Sequence, residues 1–215
     1  PQQTALGNLS VAINSTGLIP GTYKATVTAA ATGYIQAVME VNLVVNPPLS
    51  ASALKVNFQP AAQTSVPAGY VKDDGGAYNA TRTYGWVNLT SKTPVDFSAN
   101  MRERVGSDEL RLRTLVQMQT SGATPGAWEY ALANGTYKVT VSVGDPNYVD
   151  SKHQINVEGV TVINGFVPTT TQRFMSATVT VTIADGKLTI DPIGGVNTKL
   201  NYVIIDPAST SPDTT

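Results

Sequence analysis

Four side chains between residues 70 and 78 combine the two kinds of contact that a sugar ring requires. The C–H face of a sugar packs on an aromatic surface, while its hydroxyls need in-plane partners such as Asp, Asn or Arg. Tyr70, Asp73, Asp74 and Tyr78 supply both around Gly75-Gly76, and Tyr84 and Trp86 follow closely. The 215 residues hold only 9 tyrosines, 2 tryptophans and 4 phenylalanines, so four aromatic side chains between positions 70 and 86, outside any apolar run, form a cluster. Aromatic rings on a loop are either its private core or a platform for a ligand. Tyr148, with Asp145 and Asp150, offers a second loop of the same composition. Tyr70, Tyr78 and Tyr148 are the candidate ligand platforms; Trp86, Trp128 and Tyr137 read as core.

The same acids admit another chemistry. Asp73, Asp74, Asp145 and Asp150 stand among loop carbonyls, the oxygen-rich surrounding that calcium prefers, although no EF-hand spacing occurs. Asp145 and Asp150 are the candidate ligands of such a structural calcium; salt-bridged or solvated loop acids are the alternative.

Catalysis lacks its parts. The one histidine, His153, opens an alternating strand, where such a residue is structural. No G-x-S-x-G elbow, HExxH motif or phosphate loop is present. With 0 cysteines, disulfides, thiol nucleophiles and thiolate metal sites are excluded together. Paired carboxylates stay open, because loops can bring any two acids within reach of each other.

The elements that must position these loops are strands. Val56 and Phe58 alternate with polar neighbours until Pro60 stops the run. Further strand-like runs cover 115–119, 128–132, 137–143, 153–157, 161–164, 176–183, 187–190 and 200–205. Turn chemistry separates them at Pro125-Gly126, Asn134-Gly135, Gly144-Asp145-Pro146, Asn164-Gly165, Asp185-Gly186 and Gly194-Gly195. Many short strands at such spacing predict an antiparallel sandwich or barrel. Residues 101–113 read as loop leading into strand with at most one helical turn. Arg102, Arg104, Arg111 and Arg113 are expected in solvent or paired with Glu103, Asp108 and Glu109.

Residues 1–46 carry three strand-like runs, Leu9 to Ile13, Tyr23 to Ala29 and Ile35 to Val45. Three strands cannot make two packed sheets, so this unit reads as incomplete. Asn46-Pro47-Pro48 breaks the sheet and places a stiff linker at 47–53, ahead of a domain over 54–207 and a linker-like tail at 208–215. The start at Pro1 and the ending PASTSPDTT read as part of something longer.

Composition limits the partners. A net charge of −1 without a basic block argues against nucleic acid and anionic membrane, and no apolar run approaches the ~20 residues that insert into a bilayer. Only 13% of residues are charged, a balance that suits extracellular or cell-surface β modules.

Two resemblances sharpen these expectations. LSVAINSTGLIPGTYKATVTAAATGYIQAVMEVNLVV resembles the second half of the small Ig-like repeats of bacterial surface proteins, on its Gly-Thr-Tyr strand opening and its closing alternation. That resemblance implies missing strands, supplied upstream or by a neighbouring protein segment; truncation or proteolysis is the plainer account. VNFQPAAQTSVPAGYVKDDGGAY, YGW, MRERV, LRTLVQMQ, WEYALANGTYKVTVSVGDP and INVEGV together resemble a malectin-like carbohydrate-binding domain of the bacterial multidomain type, over residues 54–206. It implies a galactose-binding-like jelly-roll of two antiparallel sheets that binds polysaccharide or glycan without cleaving it. Carried over by position, its aromatic contacts fall at Tyr70 and Tyr78, with Tyr84 and Trp86 following, and at Tyr148. Its acidic contact near the last strand has no match in GGVNTKLNY, where Asn197 or Asn201 would substitute. The expected fold is therefore all-β, an incomplete Ig-like sandwich followed by a jelly-roll. The alternative function is a structural spacer or subunit of an extracellular fibre or adhesin.

Overall fold

The computed structural model describes residues 21–33, 35–45, 53–79, 81–105, 109–120 and 125–208, together with Ala12. Two compact units divide the chain, Pro1–Pro48 and Leu49–Thr215.

In the first unit β1 (Gly21–Ala29) and β2 (Ala37–Val45) form an antiparallel ribbon. Its register sets Tyr23 opposite Leu43, Ala25 opposite Val41 and Val27 opposite Met39. Because side chains alternate across a strand, these three pairs share one apolar face. Lys24 and Glu40 join on the opposite face at 3.2 Å. The Leu9 to Ile13 run lies outside the described residues, apart from Ala12.

The second unit is a sandwich, as the turn spacing predicts. Its strands are β3 (Leu54–Phe58), β4 (Val71–Asp73), β5 (Tyr84–Asn88), β6 (Met101–Glu103), β7 (Thr114–Gln117) and β8 (Gly126–Ala131). β9 (Gly135–Gly144), β10 (His153–Val157), β11 (Val160–Phe166), β12 (Phe174–Ile183), β13 (Lys187–Asp191) and β14 (Lys199–Pro207) complete it. The five-stranded sheet runs β11-β10-β13-β8-β5; the seven-stranded sheet runs β12-β9-β14-β3-β4, with β7 joined to β14 and β6 to β7. All pairings are antiparallel except β3 with β4. The single turn of helix α1 (Leu110–Arg113) fits the reading of residues 101–113.

The core lies between the sheets, where Val56, Phe58, Val139, Val141, Val203 and Ile205 meet Trp86, Trp128, Ile155, Leu188 and Ile190. Phe58 stands edge-on to both tryptophans, at centroid distances of 5.7 and 5.6 Å. Trp86 and Trp128 face each other across β5 and β8, and Tyr84 and Tyr130 form the next pair on that face. Strands β4, β5 and β6 carry too little alternation to be read from sequence. The 3-residue β4 gains its ladder only by lying beside β3.

A buried polar clamp ties the strands that carry the functional loops. Asn57 on β3 donates to the carbonyls of Arg111 and Asn201 at 3.1 and 2.9 Å and accepts from the Thr114 hydroxyl at 3.1 Å. Asn201 donates to the carbonyls of Thr114 and Gly144. It sits at the register shift between β14 and β9, where an irregular ladder leaves carbonyls for a side chain to satisfy. No helix among the described residues is long and apolar enough to cross a membrane.

Candidate functional site

Asp73 ends β4 and is fully buried, at 0% exposure. Its Oδ2 accepts the Trp128 indole N–H at 2.9 Å, and its Oδ1 accepts the Trp86 indole N–H at 3.3 Å and the Gly75 amide at 2.8 Å. The Arg82 guanidinium lies 3.5 Å from the same oxygen. Burial pushes this carboxyl up, against the pull of those donors and of Arg82. Asp73 thus ties the core tryptophans to the loop, with both oxygens engaged and shut off from solvent. Asp74, partly exposed, accepts from Arg82 at 3.0 Å. Arg82 also lies over the Tyr84 ring, 4.5 Å from its centroid, and Tyr84 stacks on Tyr130 at 5.4 Å. Most of the aromatic cluster is therefore the loop's own core.

The three candidate platform tyrosines stand among different partners. Tyr70 packs edge-on against Tyr202 of β14 at 6.0 Å, and its hydroxyl accepts from Arg111 at 3.2 Å. With Lys55, Val66, Pro67, Ala68 and Ile204 it lines an open groove of about 530 Å³, which neither Tyr78 nor Tyr148 enters. Tyr78 lies beside the five-stranded sheet, 5.7 Å from Lys187 Nζ, which pairs with Glu129 at 2.7 Å.

Tyr148, in the β9–β10 loop, is 49% exposed, and among the described residues no other aromatic ring stands among the exposed large apolar side chains. Arg104 and Lys199 hold it in place, with Arg104 Cζ 5.0 Å and Lys199 Nζ 5.3 Å from the ring centroid. Lys199 is 1% exposed at its side chain, and its ammonium bonds Asp150 at 2.6 Å and lies 3.5 Å from Asp145. Asp145 is buried and also takes Arg104 at 3.3 Å, while its Oδ1 accepts the Asn147 amide at 2.9 Å and closes the turn. The two acids considered for calcium are thus bridged by an ammonium. Lys199 holds the Asp150 carboxyl below the usual range. Among the described residues no group of three or more His, Asp or Glu could hold a metal ion.

The remaining contacts bring the β13–β14 loop to the same place. Asn197 donates to Asp150 at 3.1 Å and, in the left-handed region at φ 54°, offers its carbonyl to the Ser151 hydroxyl at 2.8 Å. Lys152 and Val196 exchange backbone bonds at 3.0 and 2.8 Å. Val149 and Val196 are exposed here, as is Val105 next to Arg104. Of the expected site residues, Tyr148, Asp145, Asp150 and Asn197 come together, whereas Asn201 is buried in the clamp. Arg104 and Lys199 belong to this site and were not legible in sequence. Only the fold carries them, from just past β6 and from the start of β14, to Tyr148.

His153 lies beneath the loop, fully buried. Its Nδ1 accepts the Lys199 amide at 3.2 Å, and its ring stacks on Phe166 at 5.9 Å. Nε2 is buried with no partner among the described residues. Burial and the nearby ammonium push the imidazole down to about 4, so it is neutral at physiological pH.

No protein-family profile matches the sequence, and no curated protein matches it. Solved structures do match. A calcium-binding mutant of Bacteroides uniformis beta-glucuronidase 2 is similar at a TM-score of 0.50 and 14% identity, over 86% of this chain and 22% of that chain. A CBM35 from Cellvibrio japonicus is similar at a TM-score of 0.37 and 14% identity, over 74% of this chain and 95% of that one. A family 35 carbohydrate binding module from Clostridium thermocellum gives a TM-score of 0.35 at 14% identity, over 61% and 97%. The chain spans 40%, 23% and 22% of the length of the first three matched structures. At such identities the likeness speaks to fold alone and not to ligand; the all-β sandwich expected from the sequence is seen in the strand pairings themselves.

Proposed function

We propose that residues 54–207 bind saccharide without cleaving it, at Tyr148, as a module of a larger secreted or cell-surface protein. The observation that carries this reading is the half-exposed Tyr148 ring, fixed by Arg104 and Lys199 and flanked by Asp150 and Asn197. A ring already immobilised loses little side-chain entropy when a sugar packs on it. Asp150, 57% exposed at its side chain, retains room to accept sugar hydroxyls beside its bond to Lys199.

The engagement of three ionisable side chains near the aromatic rings supports a binding role. Asp73 and Asp145 are buried and engaged, and the Nδ1 of the chain's 1 histidine is committed to a backbone amide. Calcium is not required at Asp145 and Asp150, because Lys199 supplies the positive charge between them.

A glycan array probed with the full chain, with Tyr148→Ala and in the presence of chelator tests this reading. Binding is expected to survive chelation and to fall at least tenfold in Tyr148→Ala. Absence of binding by the folded protein, or binding indifferent to Tyr148→Ala, would overturn it.

A further inference from the structure

Strand β12, Phe174–Ile183, forms one edge of the seven-stranded sheet. All ten residues pair with β9 on one side, and the other side pairs with no strand among the described residues. β11 lies close to it without joining its ladder. Open edges are ordinarily blunted by brevity, charge, proline or covering chain. The other sheet ends follow that rule. β4 has 3 residues and carries Lys72. β5 is covered by residues 76–78 and 93–95, which bond to Trp86 and Asn88. β11 is paired to β10 through register shifts. β12, FMSATVTVTI, has no charge, proline or glycine and consists largely of β-formers.

The sequence of β12 is also complementary to itself. Hydroxyl side chains occupy 176, 178, 180 and 182, and apolar ones occupy 175, 177, 179, 181 and 183. We propose that β12 is a homodimer interface, in which a second copy of this chain adds its own β12 antiparallel with Val179 on the two-fold axis. In that register Thr178 faces the partner's Thr180, Ser176 faces the partner's Thr182, Ala177 faces the partner's Val181 and Met175 faces the partner's Ile183. Hydroxyls continue the outer face, where Thr140 and Thr178 already bond at 2.8 Å. Apolar side chains continue the inner face. Met175, 36% exposed, and the half-buried Ala177 and Val179 gain the cover that an edge position denies them.

The flanking charges select the same register. Arg173 precedes the strand and Asp185 follows it, and neither forms an ion pair with a described residue. With Val179 on the axis, Arg173 faces the partner's Asp185 and the reciprocal pair forms at the other end. A register shifted by two residues would keep the hydroxyl pairing and lose both ion pairs. The interface is isologous and closes at two copies. It uses neither Tyr148 nor its loop, so it stands independently of the saccharide reading.

Sedimentation velocity on the full chain over a concentration series tests the proposal. The native chain is expected to dimerise. Arg173→Asp, which sets like charges together at both ends, is expected to raise the dissociation constant about tenfold or more, and Arg173→Asp with Asp185→Arg to restore it. The double variant Thr178→Lys/Thr180→Lys changes only exposed side chains and sets lysine opposite lysine across the axis; it is expected to sediment as a monomer with native circular dichroism. A folded native chain that stays monomeric up to ~1 mM, where even a weak association would be populated, would overturn the proposal. So would a dimer indifferent to both the charge reversal and the lysine pair.

Discussion

The loop over residues 59–83 and the loop over 145–152 have the same composition and opposite fates. Both combine tyrosine, aspartate and turn residues. In the first, the aspartate at the strand end, Asp73, is drawn inward by two indole donors and Arg82, and the neighbouring Tyr84 closes on Tyr130. In the second, the buried acid Asp145 is matched by Arg104 and Lys199, and the same two cations hold Tyr148 where half of its surface meets solvent. A loop whose acid is satisfied by core donors folds into its own core. A loop whose acid is satisfied by cations from other strands can keep an aromatic ring outside.

The largest effect should come from breaking the first loop at its centre. Asp73→Ala strands the Trp86 and Trp128 indole donors, the Gly75 amide and a half-buried guanidinium, and is expected to cost about 3–5 kcal/mol in a urea unfolding series. Gly85→Ala should follow at about 2–4 kcal/mol. Its Cβ would lie 2.5 Å from the Gly76 carbonyl oxygen and 2.7 Å from the Tyr78 amide, both backbone, at a φ of 140°.

Beneath the second loop, His153 supplies a pH test. Its folded value near 4 lies below the unfolded value of about 6.5, so the unfolded chain takes up the proton first and stability is lost as pH falls. Between pH 7 and pH 5 that loss is about 2 kcal/mol, and it should be absent from His153→Gln when the two proteins are unfolded in parallel at both pH values. Tyr148→Ala should leave stability within about 0.5 kcal/mol of the native chain, since the ring is an exposed side chain, while removing saccharide binding. A loss of stability like that of Asp73→Ala would instead make Tyr148 part of a core.

The sandwich was legible in the sequence because alternation and turn chemistry act locally. Asn134-Gly135 and Asp185-Gly186 sit where β8 hands over to β9 and β12 to β13. Trp86, Trp128 and Tyr137 proved to be core, as expected. The site was legible only in part. Tyr148, Asp145 and Asp150 could be read from loop composition, and Asn197 only from the contact that the family resemblance implies near the last strand. Their separation from Tyr70 and Tyr78 could not, because strand order decides which loops meet. Lys199 looks like a surface lysine in TKLNY, yet β14 is the central strand of its sheet and takes that side chain inside, where two acids neutralise it. Arg104 pairs with Asp145, a contact across 41 positions that no local pattern encodes.

The most direct test of the account is a titration of the 15N-labelled chain with the strongest array-selected saccharide, read as backbone amide shifts. The account predicts perturbations confined to Arg104, Asp145 to Ser151 and Val196 to Lys199. Perturbations centred on Pro67 to Tyr70 and Arg111, or on Tyr78 and Lys187, with the Tyr148 loop unmoved, would contradict it.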